Sequence, residues 1–305
     1  MEGHQPVMLQ EVVGALQPGP QKRFLDATFG RGGHTAALLD AGATVCAMDQ
    51  DPEAIAGAEV LQKKWGAERF QIVRKNFRAL GLGFEGEFDG ILLDLGVSSP
   101  QFDRAERGFS FRFEGPLDMR MDPSQRLTAD WIVNEYSEKE LEMIFKEYGE
   151  EREGRRVARA IVKAREAAPL RTTLELAKVV ERAIPFRRQT GLHPATRIFQ
   201  ALRIVVNDEL NALREALAQV RSILREKGRL AVITFHSLED RIVKQFIQHA
   251  SEEELRQPGI PFGNPNPDYF LKKLKDIAPS EEEIKANPRA RSARLRLAER
   301  VVYGA

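Results

Sequence analysis

The chain has 305 residues, 42% hydrophobic and 30% charged, so it is long enough for two domains and is neither disordered nor collagen-like in composition. No stretch approaches the about 18 consecutive apolar residues that a membrane span needs, and we expect no membrane partner. The 46 basic and 45 acidic residues give a net charge of +1, which excludes a uniformly basic protein but not a local basic surface. The one cysteine, Cys46, and a start without a signal-peptide pattern predict a cytoplasmic protein.

The first third of the chain alternates between strand and helix patterns. Apolar runs bounded by turn residues predict strands at residues 22–29, 44–48, 70–74 and 88–95. Helices are predicted at residues 34–40 and 53–64, the second with Pro52 at its first position and Asp51 as its cap. The last of the four strands is apolar on both faces, as in a central parallel strand. Regular β–α alternation predicts a doubly wound α/β sheet.

Near residue 101 the alternation gives way to helical patterns. Helices are predicted at residues 128–134, 138–148, 153–167 and 172–183, and a long one runs from residue 194 to about residue 224. A strand, a helix and a final strand then follow at residues 229–235, 238–249 and 294–302. We therefore predict one α/β domain, residues 1–104 and 206–305, interrupted by an all-helical insert at residues 105–205.

A glycine cluster follows the first predicted strand, where a turn lets the backbone approach a ligand closely. It contains Gly30 and Gly32, but Thr35 stands where a dinucleotide fingerprint has a third Gly or Ala, which disfavours NAD. With Asp26 upstream, the pattern is typical of S-adenosylmethionine enzymes, except that Thr28 replaces a usual glycine. The alternative is an ordinary tight turn between a strand and a helix.

Polar residues also follow later strands of the predicted sheet. Asp49 ends the second strand, where an acid can accept hydrogen bonds from both hydroxyls of a ribose. Asp94 opens a polar loop with Ser98 and Ser99, which we expect to face a cofactor; a solvated turn is the alternative. The position of this loop is similar to that of the loop with which amino-group methyltransferases hold the target nitrogen. His236 follows the strand after the insert, as a base, a partner for base stacking or only a helix cap.

Basic residues cluster in three parts of the chain, which in a nearly neutral protein favours a phosphate-bearing partner. The candidate RNA contacts are Arg155, Arg156, Arg159 and Lys163 on one helix face, Arg187 and Arg188 near the end of the insert, and Arg294 and Arg296 in the last strand. The last two alternate with leucines, so we expect both to point away from the packed face of the sheet. Each cluster alone is more typical of a solvated face than of a binding surface. The five histidines and one cysteine show no ligand spacing, so no metal site is predicted.

Longer segments allow a comparison with known families. They lie at residues 4–9 (HQPVML), 29–35 (FGRGGHT), 47–52 (AMDQDP), 94–103 (DLGVSSPQFD), 106–111 (ERGFSF), 116–122 (PLDMRMD), 193–207 (HPATRIFQALRIVVN) and 235–244 (FHSLEDRIVK). In these segments, and along nearly its whole length, the chain closely resembles the bacterial small-subunit (16S) ribosomal RNA (cytosine-N4) methyltransferases of the MraW/RsmH type.

The resemblance implies a Rossmann-like, class I S-adenosylmethionine-dependent methyltransferase sheet with an inserted helical domain. It implies S-adenosylmethionine as methyl donor and the N4 amine of a cytidine in the decoding region of 16S rRNA as target, within a small ribosomal subunit or its assembly intermediate. Carried over by position, the cofactor contacts are Gly32, Gly33, His34, Asp49, Phe77, Asp94 and Gln101. The oligomeric state stays open, a homodimer included.

The chemistry of the implied target suggests roles for the polar loop. The lone pair of the N4 amine is delocalised into the ring, so an acceptor on its N–H, with in-line alignment to the methyl group, would assist attack. We expect Ser98, Ser99 and the rest of their loop to supply acceptors, and His236 to position the base or accept its proton. A methyltransferase for protein or small molecules, and a non-catalytic RNA-binding or assembly factor, are the competing interpretations.

Overall fold

A computed structural model describes residues 6–82, 84, 86–184, 193–255 and 263–302. The chain forms two compact units: the sheet unit, Met1–Gly96 with Leu210–Ala305, and the helical unit, Val97–Glu209. The helical unit extends beyond the predicted insert at both ends, and Val97 already packs against its core. In the described part of the chain, no helix is long and apolar enough to cross a membrane.

The first part of the sheet unit follows the predicted alternation. Its elements are α1 (Leu9–Leu16), β1 (Arg23–Asp26), α2 (Gly33–Asp40), β2 (Thr44–Asp49), α3 (Pro52–Gly57), α4 (Glu59–Trp65), β3 (Phe70–Arg74), a 3-10 helix (Phe77–Leu82) and β4 (Phe88–Asp94). The predicted helix 53–64 is in fact two helices that meet at Ala58. The predicted cap is confirmed, since the Asp51 carboxylate accepts the N–H of Glu53 at 3.0 Å.

The helical unit is built from helices, some of which begin with a side-chain cap. They are α5 (Ser99–Asp103), a 3-10 helix (Ala105–Arg107), α6 (Ala129–Glu135), α7 (Glu138–Glu147), α8 (Gly154–Ala167), α9 (Thr173–Ala183) and α10 (Ala195–Asn207). Ser137 and Thr172 each accept a backbone N–H of their helix and receive the reciprocal bond from a glutamate, so α7 and α9 begin with complete capping boxes. Apolar faces of these helices form one core of their own.

The chain then returns to the sheet unit. The remaining elements are α11 (Glu209–Ile223), β5 (Leu224–Thr234), α12 (Ser237–Ala250), β6 (Glu254–Leu255), β7 (Asn264–Pro265), β8 (Leu271–Lys273), α13 (Glu281–Ala286), a 3-10 helix (Pro288–Ser292) and β9 (Arg294–Arg300). The long helix predicted from residue 194 is broken, because Asp208 has a left-handed φ of 49° that ends α10. The sequence patterns also missed β8 and α13, which are only three and six residues long.

Seven strands form one sheet in the order β3-β2-β1-β4-β5-β9-β8. Strands β1 to β5 are parallel, whereas β9 and β8 are antiparallel to their neighbours. Asp94 pairs with Ile233, which confirms that the Asp94 strand lies beside the strand that precedes His236. The carboxyl ends of β1, β2, β4 and β5 therefore meet at one edge of the sheet.

The centre of the sheet is buried on both faces, as the apolar run of β4 predicts. Ile91 and Leu93 pack in the core on one face, and Leu92 packs with Phe24 in the core on the other. A Cβ at Gly90 would lie 2.7 Å from the Phe24 ring, so the close approach of β4 to that ring requires glycine. The strand ends at the carboxyl edge of the sheet are thus held by closely packed cores on both faces.

Candidate functional site

Four parallel strands of the sheet unit bring polar side chains to the same edge. Asp26 ends β1, Asp49 ends β2 and Asp94 ends β4, while His236 follows the end of β5. In open α/β sheets the carboxyl edge is the usual place for a ligand. This edge is therefore the candidate site.

The turn between β1 and α2 is shaped by glycines with left-handed backbone. Gly30 has φ 55° and Gly32 has φ 73°, and a Cβ at Gly32 would lie 2.6 Å from the ring of Phe29. The N–H of Gly30 donates to Oδ2 of Asp49 at 2.8 Å. Because this bond holds the turn beside the end of β2, a ligand in the turn would also reach Asp49.

Asp26 supports the turn from inside. Its carboxylate is buried and accepts the hydroxyl of Thr35 at 2.7 Å and the N–H of Thr28 at 3.2 Å. Burial raises the pKa of Asp26, and these hydrogen bonds oppose the rise. The hydroxyl oxygen of Thr28 also accepts the N–H of Asp94 at 2.6 Å. Thr35 and Thr28, the two exceptions to the glycine patterns described above, therefore bond to the ends of β1 and β4. The sequence showed both exceptions but not this role.

Asp49 has the geometry of an acceptor for a diol. Its Oδ2 accepts the N–H of Gly30 and its Oδ1 accepts the N–H of Asp51 at 2.9 Å, so both oxygens are oriented while each keeps a further lone pair. Burial raises the pKa of Asp49 to about 6, and the two backbone hydrogen bonds oppose the rise. The group is thus mainly ionised at neutral pH.

His34 and Asp94 form a loose pair in which the imidazole is buried and the Asp94 side chain is 25% exposed. His34 Nε2 lies 3.5 Å from Asp94 Oδ2, and among the described residues both ring nitrogens and Asp94 Oδ1 have no hydrogen-bond partner. Burial lowers the pKa of His34, but Asp94, Asp26 and Glu283 raise it more strongly, and the net direction is upward. Buried polar atoms without partners are uncommon in folded proteins, so this pair is ready to bind a polar group.

Phe77 follows β3 in a segment that is bonded to the end of β2, where Asp49 lies. It opens the 3-10 helix after β3 and is half-buried against the core. The neighbouring Asn76 donates to the side chain of Gln50 at 2.6 Å, and the N–H of Lys75 bonds to the carbonyl of Asp49 at 3.0 Å. The segment before Phe77 is therefore tied to the end of β2.

His236 is the N-cap of α12. Its Nδ1 accepts the N–H of Glu239 at 3.5 Å, its Nε2 lies 3.0 Å from Glu239 Oε1, and the other carboxylate oxygen accepts the N–H groups of Phe235 and His236. Of the three roles open from sequence, the structure displays capping. A role as base would require the ring to turn away from Glu239. The sequence signal for Glu239 was its position three residues after the cap.

Ser98, Ser99 and Gln101 belong to the helical unit rather than to the sheet unit. The N–H of Ser98 donates to Oε1 of Gln101 at 2.9 Å, and Gln101 is buried. The side chain of Ser99 lies outside the described residues. The predicted roles of these three residues stay predictions.

The basic face of α8 is exposed as predicted by its spacing. Arg155, Arg156, Arg159 and Lys163 are exposed, whereas Val157 and other apolar residues of α8 are buried on its opposite face. Arg159 has a loose contact of 3.6 Å with Glu138 at the start of α7. Arg187 and Arg188 lie outside the described residues.

The two arginines predicted to share one face of β9 differ in their surroundings. Arg294 is exposed, but the side chain of Arg296 is only 14% exposed. Arg296 donates to Oδ1 and Oδ2 of Asp240 in α12, both at 2.8 Å, and also pairs with Asp276. The expectation that Arg296 faces solvent for RNA is wrong, because its guanidinium is bonded to the carboxylates of Asp240 and Asp276 and is largely buried.

The parallel sheet with two antiparallel strands at one side, the glycine turn and the acids at the strand ends define the Rossmann-like methyltransferase class. The family model of the MraW methylase family matches residues 1–301. The chain therefore belongs to the MraW methylase family.

Its relatives are similar over their full length. It is 50% identical to a ribosomal RNA small subunit methyltransferase H of Heliobacterium mobile, over 98% of this chain and 99% of that protein. A protein of the same name from Coxiella burnetii is 46% identical, over 99% of this chain and 100% of that protein. A solved rRNA methylase of Streptococcus thermophilus has a TM-score of 0.44 at 11% identity, covering 96% of this chain and 94% of its own.

Proposed function

We propose that this protein transfers the methyl group of S-adenosylmethionine to the N4 amine of a cytidine in the decoding region of 16S rRNA. Membership of the MraW methylase family and the names of its relatives support methylation of small-subunit rRNA. The structural observation on which the proposal chiefly rests is the Asp49 carboxylate, oriented by Gly30 beside the glycine turn. The nitrogen target and the position in the RNA come from the family resemblance.

The residues at the edge of the sheet unit fit S-adenosylmethionine. Asp49 would accept the ribose hydroxyls and Phe77 would pack against the adenine. Gly32, Gly33 and His34 line the turn, where a side chain at Gly32 would not fit. Asp94, with a buried oxygen that has no partner among the described residues, offers negative charge for a cationic ligand. When bound, this donor supplies an electrophilic methyl group.

The protein's own residues would then orient the target nitrogen and draw electron density onto it. The unpartnered Oδ1 of Asp94 can accept an N–H of the amine, which localises the nitrogen lone pair. Ser98, Ser99 and Gln101 would complete the loop around the amine and the donor. His236, oriented by Glu239, would hold the base or, after turning, take its proton.

We expect the exchanges His236→Ala and Ser98→Ala to lower kcat while leaving cofactor affinity unchanged, because both act on the target base. Single-turnover methylation and calorimetry with S-adenosylhomocysteine measure the two quantities separately. If both variants retain wild-type kcat at unchanged affinity, the roles assigned to these two residues are wrong.

Contacts with RNA are proposed for exposed basic residues. On the helical unit these are Arg155, Arg156, Arg159 and Lys163, with Arg187 and Arg188 as further candidates from sequence, and on the sheet unit Arg294. Such residues bind phosphates without reading sequence, so they would position the RNA while the edge of the sheet selects the base. A 16S rRNA partner, in a small subunit or its assembly intermediate, suits a cytoplasmic enzyme, and a homodimer is compatible with it.

The decisive experiment is mass mapping of modified nucleosides in small-subunit RNA from cells with and without the gene. We expect one N4-methylcytidine in the decoding region to disappear and to return with the wild-type gene but not with Asp94→Ala. Methyl transfer to naked RNA, assembled subunits and protein is then compared in vitro. Unchanged rRNA with methylated protein would favour a protein methyltransferase, and absence of S-adenosylmethionine binding would favour a non-catalytic RNA-binding factor.

A further inference from the structure

Glu283 departs from a local rule that other helices of this protein obey. In α7, α9 and α12 the third helical residue is a glutamate whose carboxylate bonds back to the N-cap backbone. In α13, Ser280 accepts the N–H of Glu283 at 3.1 Å, but the carboxylate of Glu283 accepts the N–H of Met8 at 2.5 Å instead. A side chain is thus diverted from its own helix cap to a residue 275 positions earlier.

The segment that Glu283 holds lies over the start of α2. Met8 has a left-handed φ of 56°, a strained backbone for a residue with a side chain. Two residues earlier, the ring of Pro6 packs so closely on Gly33 that a Cβ there would collide with it. Residues 6–8 therefore form a strap across the glycine turn. Burial of Val7 and Met8 in the core holds it, and the Glu283 carboxylate adds a hydrogen bond to its last residue.

Glu283 also contributes charge to the interior of the site. Its Oε2 is buried and has no hydrogen-bond partner in the described part of the chain, as is true of both ring nitrogens of His34. The groups that act electrostatically on His34 are Asp94 from β4, Asp26 from β1 and Glu283 from α13. An uncompensated carboxylate oxygen inside a protein is costly, and such violations of local rules cluster at functional sites.

We propose that Glu283 is a positioning residue: its carboxylate latches residues 6–8 over Gly33 at the glycine turn. The part of this inference that concerns cofactor release rests on the proposed function. A closed strap should slow the exchange of the cofactor product.

The first test measures the strap with S-adenosylhomocysteine as probe. Glu283→Ala removes the acceptor for Met8, Glu283→Gln keeps an acceptor without the charge, and Glu282→Ala is the control at an exposed neighbour. We expect Glu283→Ala to raise both Kd and the dissociation rate about tenfold, Glu283→Gln to raise them less, and the control to stay at wild type. Values for Glu283→Ala within twofold of wild type overturn the latch.

The second test needs no cofactor, so it distinguishes failure of this inference from failure of the proposed function. In the free protein, exchange of the Met8 amide and Tm are measured for the same variants. We expect Glu283→Ala to speed Met8 exchange about tenfold, Glu283→Gln to speed it less, and Glu282→Ala to leave it at wild type. Met8 exchange in Glu283→Ala within twofold of wild type would overturn the proposal, whatever the result for the cofactor.

Discussion

The edge of the sheet and the basic face of α8 both concentrate charge, but they hold it in opposite ways. At the edge, Asp26 and Asp49 are fixed by hydrogen bonds from hydroxyl and backbone donors, and burial raises the pKa of both. On α8, Arg155 and Arg156 are exposed and Arg159 has only a loose pair at 3.6 Å. Charge at the edge should therefore respond to pH and to single substitutions, whereas charge on α8 should respond to salt.

Arg296 shows why internal and exposed charges cannot be distinguished by the spacing of residues in the sequence. It alternates with leucines as a surface residue does, yet it is held between Asp240 and Asp276. Its neighbour two positions earlier, Arg294, is exposed. The difference arises because the carboxylates of Asp240 and Asp276 lie against Arg296 and not against Arg294, and no local pattern encodes their position.

The largest effect should follow Arg296→Ala, which removes the cation bonded to both carboxylate oxygens of Asp240 and leaves Asp276 with the more distant Lys273 at 3.8 Å. We expect a loss of about 3 kcal/mol in the free energy of unfolding, measured by urea denaturation. Arg296 lowers the pKa of Asp240, so the stabilisation is present above the unfolded pKa and is lost as pH falls through the folded one. Arg294→Ala is the matched control. An equal loss of unfolding free energy in both variants would show that Arg296 contributes no more to stability than an exposed arginine.

The next effect concerns Asp49. We expect Asp49→Ala to weaken binding of S-adenosylmethionine by about 1–3 kcal/mol, because the ribose hydroxyls lose a charged acceptor. Calorimetry measures the affinity, and Asp40→Ala, at an exposed acid of the same unit, serves as control. Unchanged affinity in Asp49→Ala would contradict the assignment of this acid to the cofactor.

A smaller effect is expected from the basic face of α8. Reversing Arg155, Arg156 and Arg159 to glutamate should weaken RNA binding about tenfold and lower the slope of log K against log salt by about 0.7 for each lost contact. Fluorescence titration at several salt concentrations checks both, with Lys178→Glu on α9 as the control. An unaltered slope would show that this face is solvated only.

The smallest effect should be the pH dependence of cofactor affinity. The pKa of Asp49 is about 6, and its ionised form is the better acceptor, so affinity should fall as pH drops through that value. We expect about a fourfold loss between pH 7 and pH 5.5 in the wild type and a flat profile in Asp49→Asn. If cofactor affinity depends on pH in the same way in the wild type and in Asp49→Asn, Asp49 is not the titrating group.

Several elements were predictable because local patterns are strong. The apolar run of β4, the Asp51 cap and the order of β4 beside β5 follow from hydrophobicity, capping chemistry and the usual order of such sheets. The break at Asp208 was not predictable, since the apolar spacing continues through it. Asn207, just before the break, is buried and bonds to Met119 and Met121, contacts that are remote in sequence.

The sequence by itself determined the alternating sheet, the glycine turn, the acids at the strand ends and the family, because these depend on residue type and short spacing. Only the tertiary structure decided which charges are internal. It turned His236 toward Glu239, enclosed Arg296 under α12, and brought Glu283 to Met8. These outcomes depend on contacts between residues far apart in the chain, where burial and hydrogen bonding override local propensity.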